Sequence, residues 1–348
     1  MTCSRVSVVH PFAGRDAAVT LAPRGGVKLK HGGTLPSVRV AATFYGRHFS
    51  DAPTILACHA LTGNSRVDQW WGDVLGPGKL LDTDRFCIAC TNVIGSCYGS
   101  TSPSSPAPDG AIWGSRFPVV TIEDMVAVQR DALELLGVHR IALTIGGSLG
   151  GQQALQWGAA YPTRTGGVVA IGATGRLSPM GIALNSAARK AIDVDPVEGL
   201  KVARMIGMLS YKSGTLLWRR HGRKPDRGGA DPGESVESRF DVEGYLQHQG
   251  DKLAARMDPA SYAYLTKAMD LYDLDPTGWR VPALLVGIES DWLYPPGEVE
   301  FTAKQLAPHA RFARFHSDHG HDGFLADAHQ LTSIVQPFID EIAAAVAR

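Results

Sequence analysis

The segment RIALTIGGSLGGQQALQWGAAYP (residues 140–162) decides the fold of this chain. Its apolar run RIALTI (140–145) predicts a strand, and the proline-free stretch after the glycines predicts a helix to about Tyr161. Between them, a G-x-S-x-G pattern places Ser148 at a sharp turn where glycines leave room and the hydroxyl stands clear of the sheet. This context favours Ser148 as a nucleophile. The alternative is a glycine-rich turn that only packs closely or binds phosphate.

The rest of the chain alternates strands with helices, which predicts an α/β fold with a mostly parallel sheet and helices on both faces. Residues 1–36 are rich in glycine and are predicted to be irregular. Thr121, with Asp124 three residues later, predicts a capped helix start, and Gly137 predicts the end of that helix. The predicted strands span residues 38–46, 53–61, 85–93, 140–145, 166–172, 281–290 and 310–317.

The alternation breaks between residues 176 and 278, where the pattern is helical and contains no convincing strand. We therefore predict an α/β core formed by residues 1–175 and 279–348, with a helical domain inserted at residues 176–278. A chain of 348 residues is long enough for this arrangement.

The balance of charge limits the possible partners. Lys plus Arg and Asp plus Glu number 34 each, so no net field favours nucleic acid or an anionic membrane. Any site for an anionic cofactor must therefore be a local patch. The N-terminus lacks the apolar core of a signal peptide, and no apolar stretch approaches the ~20 residues that span a bilayer. These features predict a soluble, cytoplasmic protein.

The five cysteines do not predict a disulfide framework, because their number is odd. Cys87 and Cys90 form a C-x-x-C pair that could indicate zinc or redox chemistry. They lie in an apolar strand pattern without a second such pair, so we interpret them as core residues. The twelve histidines show no H-E-x-x-H or comparable spacing, and no metal site is predicted.

A serine nucleophile needs a base, and the base needs an acid that orients it. Asp291 follows an apolar strand in LLVGIESDWLYPPGE, with Glu289 as the competing acid. The segment HSDHGHDGFLAD offers His316, His319 and His321 as bases, and each could also be a solvated loop residue. Spacing alone does not choose between His319 and His321.

Acyl transfer also needs hydrogen-bond donors for the oxyanion. One is normally the backbone N–H of the residue after the nucleophile, here Leu149, and another comes from the loop after an early strand. The segment CHALTGN (58–64) lies in that place, and the N–H of Leu61 is the candidate. The alternative for this segment is an ordinary turn.

From about residue 36 onwards, the chain resembles the homoserine O-acetyltransferase family of the α/β-hydrolase fold, the acyltransferases of methionine biosynthesis. The resemblance rests on many blocks in the family's order, which include HALTGNS, NVIGSCYGSTSPSS, GGSLGGQQALQW, SPMGIALNSAARKAI, GLKVARMIGMLSYKS, SDWLYP and GHDGFL. It implies that Ser148, Asp291 and His321 form the catalytic triad. It also implies that residues 176–278 form a helical lid.

The resemblance further implies that Arg204, Tyr211 and Asp322 hold the amino-acid acceptor. Arg204 and Tyr211 are seven residues apart, about two helical turns, so both side chains can face one cleft. An arginine suits a planar α-carboxylate because its N–H groups bind both oxygens. A surface cation on an amphipathic helix is the alternative for Arg204.

The chain departs from the family pattern in several places. The stretch AIDVDPVEGLKVAR is about a dozen residues shorter than usual, which affects residues 192–203 of the predicted lid. Leu149 stands where methionine usually follows the nucleophile, the usual GSTGP loop reads GSTSP, and Arg66 stands where histidine is common. These changes leave the catalytic residues in place but alter the expected shape of the acceptor and acyl pockets.

The resemblance implies a ping-pong reaction in which an acetyl group passes from acetyl-CoA through an acyl-serine to the γ-hydroxyl of L-homoserine. No cofactor is permanently bound, acyl-CoA is a co-substrate, and a homodimer pairs through the lid helices. The alternatives are a succinyl-CoA-dependent homoserine or serine O-succinyltransferase, with Arg66 or Lys212 as the extra cation, and an esterase or thioesterase. A binding scaffold without catalysis is a further alternative, which the complete set of triad residues disfavours.

Overall fold

A twisted central sheet organises the molecule. The computed structural model describes residues 14–346. A short separate ladder pairs β2 (Val27–Lys28) with β3 (Thr34–Leu35). The eight strands of the main sheet are β1 (Arg15–Leu21), β4 (Val38–Gly46), β5 (Thr54–Cys58), β6 (Cys87–Thr91), β7 (Leu143–Gly147), β8 (Val168–Ile171), β9 (Ala283–Ile288) and β10 (Ala310–Phe315).

The strand order is β1-β4-β6-β5-β7-β8-β9-β10, and every neighbouring pair from β6 to β10 is parallel. Within the main sheet, as described for residues 14–346, only β1 with β4 and β4 with β6 are antiparallel. The prediction of a mostly parallel sheet is therefore confirmed. Strands β5 to β9 consist entirely of buried residues, because helices cover both faces of the sheet.

The prediction that residues 1–36 are irregular is wrong from Arg15 onwards, since β1 forms a seven-residue antiparallel ladder with β4. Residues 1–13 of that stretch lie outside the described part of the chain. Strand β1 is at the sheet edge and mostly half-exposed, so its residues lack the apolar run by which buried strands are recognised. The strand predicted at 140–145 lies two to three residues later, because its ladder continues into Gly147.

The helices agree with the predicted pattern. Thr121 caps its helix through a reciprocal pair with Asp124, as predicted: Thr121 Oγ1 accepts the Asp124 N–H, and Asp124 Oδ2 accepts the Thr121 N–H. The helices are α1 (Val67–Trp70), α2 (Ile122–Leu135), α3 (Leu149–Ala160), α4 (Pro179–Val194), α5 (Pro196–Tyr211), α6 (Gly214–His221), α7 (Asp241–Ala254), α8 (Pro259–Leu271), α9 (Pro296–Gln305), α10 (Gly323–Ala326) and α11 (Ala328–Val346).

Two apolar cores lie on opposite sides of the sheet. One includes Met125 of α2 and Leu155 of α3 and continues into the helices between β8 and β9, while the other includes Phe338 of α11. Between β8 and β9, residues 176–278 are all described and contain α4 to α8, isolated bridges and no strand. Within residues 14–346, no helix is both long and apolar enough to cross a membrane.

The segment that is short relative to the family pattern forms a one-residue corner. Asp195 ends α4 and also begins α5, where its carboxylate accepts the N–H groups of Val197 and Glu198. A Cβ on Gly199 would lie 2.0 Å from the Ala191 carbonyl oxygen, so only glycine allows the two helices to approach this closely. The corner therefore fixes the direction of α5, which carries the candidate acceptor residues.

Candidate active site

Ser148 lies at a strained turn between β7 and α3. Its φ is 57° and its ψ is −126°, and it is the only non-glycine residue with positive φ among residues 14–346. The glycines around it are required by close contacts: a Cβ on Gly146 would lie 2.5 Å from the Gly150 backbone, and one on Gly150 would lie 2.1 Å from the Cys58 carbonyl oxygen. The predicted strand, turn and helix are therefore present, and the strain is consistent with Ser148 as the candidate nucleophile.

Asp291 and His321 form a buried pair at the carboxyl edge of the sheet. His321 Nδ1 lies 2.7 Å from Asp291 Oδ2, and the other carboxylate oxygen accepts the N–H groups of Leu293 and Tyr294. Asp291 follows β9, and His321 lies in the short 3₁₀ helix Gly320–Asp322. Three hydrogen-bond contacts thus hold the acid in one orientation, two from backbone N–H groups to Oδ1 and one between Oδ2 and the imidazole.

The pair is next to the nucleophile turn. The Ser148 N–H donates to the Ile171 carbonyl oxygen at 2.9 Å, and a Cβ on the following residue, Gly172, would lie 3.2 Å from Asp291 Oδ2 and 3.3 Å from His321 Nδ1. The end of β8 therefore contacts all three candidate triad residues. Glycine at position 172 leaves the space that the imidazole and carboxylate occupy.

The environment of His321 holds its ring in place. The ring stacks on Tyr294 at a centroid distance of 5.2 Å and also contacts Tyr211 and Phe324. Burial acts to lower the pKa of His321, but the charge and hydrogen bond of Asp291 outweigh it, so the pKa is raised above the ordinary imidazole value. His321 Nε2 is buried and has no hydrogen-bond partner within residues 14–346, which leaves it able to accept a proton.

The competing acid and bases lie elsewhere. Glu289 pairs with His316 at 3.2 Å, but both side chains are exposed and cannot serve a buried serine. His319 is half-buried, and burial lowers its pKa. Spacing did not distinguish His319 from His321, whereas the direct contact with Asp291 singles out His321.

The two candidate oxyanion donors lie beside Ser148. Leu149 is the first residue of α3, and Leu61 lines the same cavity as Ser148. The backbone hydrogen bonds of residues 14–346 leave the N–H groups of Leu61 and Leu149 without an acceptor. A helix N-terminus adds the positive end of its dipole at this position.

Gln153 and His59, which no sequence pattern singled out, hold the segments that carry these candidate donors. Gln153 Nε2 donates to the carbonyl oxygens of His59 and Leu149, which ties the loop after β5 to the start of α3. His59 is fully buried, with Nδ1 2.8 Å from the Ala60 carbonyl oxygen and Nε2 accepting the Val93 N–H. Burial lowers the pKa of His59 to about 4, so it stays neutral in this role. A histidine directly after an apolar strand was the available signal.

A narrow cavity of about 20 Å³ adjoins Ser148. A site for one water needs about 10–15 Å³, so the cavity holds a group no larger than a water or a methyl. Residues from the loop after β5 and from helices α4, α5 and α8 form its wall. Within the described chain no lysine or arginine lines it, and its apolar lining consists of Leu61, Leu177, Gly181, Leu184, Ala188, Ile206, Gly207, Met269 and Leu293.

Of the candidate acceptor residues, Tyr211 lines the cavity beside Ser148, whereas Arg204 lines a second, neighbouring cavity. The Arg204 guanidinium carbon is 5.7 Å from the Tyr211 ring centre, and the Tyr211 ring is 5.7 Å from the His321 ring. Arg204 is half-buried, and none of the ion pairs among the described residues includes it. Burial raises the pKa of Tyr211, while the charge of Arg204 acts in the opposite direction. Tyr211 therefore lies between the Arg204 cation and the His321 ring, and Arg204 is paired with no described carboxylate.

Asp322 has a partner that the sequence analysis did not predict. Lys212 Nζ lies 2.7 Å from Asp322 Oδ2. Lys212 was a candidate for binding a succinyl carboxylate, but its ammonium group is already paired with Asp322. Arg66, the other candidate, donates from Nε and Nη2 to the two oxygens of Asp68. Neither cation is left free for a distal carboxylate.

Within residues 14–346, no group of three His, Cys, Asp or Glu side chains is arranged to hold a metal ion. Cys87 and Cys90 are both buried in β6 and unbonded to each other, as expected for core residues. Burial raises the pKa of both thiols. Cys3 lies outside the described residues.

Comparisons with known proteins bear on both fold and family. A family model described as the alpha/beta hydrolase fold matches residues 53–328. A homoserine O-acetyltransferase from Symbiobacterium thermophilum is 40% identical, over 95% of this chain and 96% of that protein. The crystal structure of a homoserine O-acetyltransferase from Staphylococcus aureus has 27% identity and a TM-score of 0.77, and the match covers 93% of this chain and 95% of that chain.

The fold is also similar to that of a protein described as an esterase. The crystal structure of esterase E22 matches with a TM-score of 0.85 at 21% identity, over 94% of this chain and 100% of that chain. At this level of identity, the likeness concerns the fold alone.

Proposed function

The chain belongs to the homoserine O-acetyltransferase family of the α/β-hydrolase fold, and on that premise we propose that it transfers an acetyl group from acetyl-CoA to the γ-hydroxyl of L-homoserine. The product is O-acetylhomoserine, which belongs to methionine biosynthesis. The reaction proceeds in two halves through an acetyl-serine, so that CoA leaves before homoserine reacts.

In the first half, His321 Nε2 takes the proton of the Ser148 hydroxyl as the serine oxygen attacks the thioester carbon. Asp291 holds the imidazole through Nδ1 and stabilises its protonated form. The tetrahedral intermediate then loses CoA: the carbon–sulfur bond breaks, and the thiolate takes the proton from His321. The strained turn at Ser148 supports this step because it keeps the hydroxyl clear of the sheet.

The negative oxygen of the intermediate is bound by the N–H groups of Leu61 and Leu149. Neither N–H has an acceptor among residues 14–346, which supports this role, since an oxyanion hole must be formed before the charge develops. The link from Gln153 to His59 and Leu149 keeps the two donors at a constant separation. His59 and Gln153 are thus positioning residues for the oxyanion hole.

In the second half, the γ-hydroxyl of homoserine gives its proton to His321 and attacks the acetyl carbon. The bond to Ser148 Oγ breaks, and His321 returns the proton to the serine. We assign the α-carboxylate of homoserine to Arg204 and Tyr211, and the α-ammonium to Asp322. Lys212 contacts one oxygen of Asp322, and the other oxygen stays available, because a carboxylate accepts several hydrogen bonds.

The observation that carries the transferase proposal is Arg204. Its half-buried guanidinium lies beside Tyr211 and forms no ion pair with a described carboxylate, so its N–H groups are available to the carboxylate of an amino-acid acceptor. An acceptor held by its carboxylate can reach an effective concentration of about 10⁵–10⁸ M, well above that of water at about 55 M. Helices α4 to α8, as a lid, exclude water and protect the acetyl-serine from hydrolysis.

The cavity beside Ser148 favours acetyl over succinyl. Its volume of about 20 Å³ suits the acetyl methyl group, and no cation lines it within the described chain. A succinyl group would bury a carboxylate there without a partner, which carries a large energetic cost. We therefore take acetyl-CoA as the donor. It acts as a co-substrate, and we assign no resident cofactor.

We further propose that the protein is a cytoplasmic homodimer. The inserted helices carry exposed apolar side chains, among them Val202 and Leu209 on α5. Pairing of these helices between two copies would bury them. The cytoplasm is the compartment in which acetyl-CoA and homoserine would be available together.

Thiol release tests the proposal directly. Purified protein is given acetyl-CoA or succinyl-CoA, each with homoserine, serine or no acceptor, and free CoA is followed while the products are identified by mass. The proposal predicts release that rises strongly with homoserine on acetyl-CoA and yields O-acetylhomoserine. Release that is equally fast without an acceptor would show that water is the acceptor and that the protein is a hydrolase.

A further inference from the structure

A second, larger cavity opens beside the oxyanion loop. It has a volume of about 530 Å³, and we call it the outer cavity. Residues 62–64, Trp70 and Tyr98 form one side of it, and Arg204, Lys252 and Arg256 form the other. The cavity lies between the loop after β5 and the inserted helices α5 and α7.

The charge of the outer cavity is unlike that of the chain as a whole. Arg204, Lys252 and Arg256 are three cations, and no Asp or Glu of the described chain lines the cavity. The full chain has 34 cations and 34 carboxylates, so three unopposed cations in one cavity are a local departure from neutrality. Neighbouring Asp251 pairs with Lys201. A concave surface with this charge attracts a polyanion.

The outer cavity adjoins the catalytic cavity. Leu61 lines the catalytic cavity, and the next three residues of the same loop, 62–64, line the outer one. Helix α5 contributes Ile206 to the former and Arg204 to the latter. The two cavities are therefore neighbours both along this loop and along α5.

We propose that Lys252 and Arg256 bind the phosphate groups of the acyl donor, so that the nucleotide end of CoA occupies the outer cavity while its thioester reaches Ser148. This inference rests on the proposed function, since it names a binding site for the same donor. Arg204 remains with the acceptor. The donor and the acceptor can occupy neighbouring parts of the site in turn, because CoA leaves before homoserine binds in a ping-pong reaction.

The geometry of Arg256 suits this role. Its Nη1 donates to the Thr62 carbonyl oxygen at 2.8 Å and to the Tyr98 hydroxyl at 2.5 Å, which holds the guanidinium at the edge of the cavity. Its Nε and Nη2 groups make no hydrogen bond to a described residue. Both acceptors at Nη1 are uncharged, so the full positive charge is available to a phosphate, with two donors in a fixed orientation.

The experiment compares donors that share the thioester but differ in phosphates. Values of kcat/KM are measured for acetyl-CoA, for acetyl-dephospho-CoA, which lacks the 3′-phosphate, and for S-acetylpantetheine, which has no phosphate. The variant is Lys252→Glu, because Lys252 is exposed on α7 and the change removes no contact with the core. The matched control is Lys267→Glu, an exposed lysine on α8.

The proposal predicts that Lys252→Glu lowers kcat/KM for acetyl-CoA roughly three- to tenfold, since the site loses one exposed attraction and gains a repulsion. Activity with S-acetylpantetheine and the KM for homoserine stay unchanged, and Lys267→Glu behaves as the unsubstituted protein. The double variant Lys252→Glu/Arg256→Gln loses roughly 30-fold or more with acetyl-CoA. If the variants also lose kcat/KM with acetyl-dephospho-CoA, Lys252 and Arg256 bind the diphosphate. If the variants lose none with that donor, the two residues bind the 3′-phosphate.

Two results would overturn the inference. An equal loss with acetyl-CoA and S-acetylpantetheine would show that the cations act on cavity shape or on the oxyanion loop. No loss with either donor would show that the phosphates bind elsewhere. In both cases, transfer to homoserine by the unsubstituted protein continues, so the proposed function stands. If that protein transfers acetyl from no donor, the proposed function fails and this inference fails with it.

A binding measurement separates phosphate recognition from catalysis. Adenosine 3′,5′-bisphosphate carries phosphates but no thioester, and it should inhibit competitively against acetyl-CoA. The inhibition constant should rise with added salt and rise in Lys252→Glu, but not in Lys267→Glu. Inhibition that is the same in all three proteins contradicts the assignment.

Discussion

Asp291 Oδ2 and His321 Nδ1 lie 2.7 Å apart in a site where both side chains are buried. Because Asp291 faces the imidazole from one side, it raises the pKa of His321 against the effect of burial and leaves Nε2 as the proton acceptor. The pair thus both orients the base and sets the pH range in which it is neutral.

The pH dependence of activity follows from this pair. His321 must be neutral to accept the serine proton, so kcat/KM should fall as the pH decreases through its pKa. Since the pKa is raised, this acid limb should lie above the ordinary value of 6.5. In Asp291→Asn the limb should move to lower pH and kcat should fall about 10⁴-fold. Steady-state kinetics across pH tests this, and a limb that stays in place in the variant contradicts it.

The backbone strain at Ser148 predicts a difference between two inactive variants. Ser148→Ala and Ser148→Gly both remove the nucleophile and should lower kcat by roughly 10⁶-fold. Only glycine adopts φ of 57° without strain, so the glycine variant should unfold with a free energy about 1 kcal/mol higher than that of the alanine variant. Denaturant unfolding measures this difference. Equal stability of the two variants would mean that the turn carries no side-chain strain.

A substitution of Arg204 should affect acceptor binding but not acylation of the serine. Arg204→Ala should raise the KM for homoserine roughly 10- to 100-fold, because one charged, two-point contact with the carboxylate is lost. Formation of the acetyl-serine does not use Arg204, so the burst of CoA release in the absence of acceptor should persist. Pre-steady-state thiol release and steady-state transfer are the two readouts, with Arg204→Lys as an intermediate case. Loss of the burst together with transfer would place Arg204 in the donor half-reaction.

The catalytic cavity predicts the acyl chain that is accepted. Leu184 on α4 lines this cavity, and Leu184→Ala should enlarge it by about the volume of three methylene-sized groups. The ratio of kcat/KM for propionyl-CoA to that for acetyl-CoA should then increase roughly tenfold. Leu135→Ala, an exposed leucine at the end of α2, is the control and should leave the ratio unchanged. An unchanged ratio in Leu184→Ala would place the acyl group elsewhere.

Local patterns predicted the parts of the molecule that are determined within one short segment. The G-x-S-x-G turn, the Thr121–Asp124 cap and the buried parallel strands all appear as predicted, because each depends on neighbouring residues or on continuous burial. Strand β1 was missed for the opposite reason. Its ladder with β4 is made by backbone groups, and its half-exposed side chains do not reveal a strand.

In the candidate active site too, the sequence indicated the residue types, whereas the contacts between them depend on the tertiary structure. Residue types identified Ser148, Asp291 and three histidines, but spacing could not choose between His319 and His321. That choice needs the position of the loop after β10 relative to Asp291, which is a contact across 30 residues of sequence. The ion pair of Lys212 with Asp322 spans a still longer separation and was not predicted.

By itself, the sequence determined the fold class, the nucleophile turn and the set of residues from which a triad could form, since these follow from periodicity, glycine spacing and residue chemistry. The packing of remote segments selected the histidine that contacts Asp291, linked Gln153 to His59 and Leu149, and set the small volume of the cavity beside Ser148. The physical reason is distance along the chain. Hydrogen bonds and cavities between remote segments depend on how helices and loops pack, and no local pattern encodes that packing.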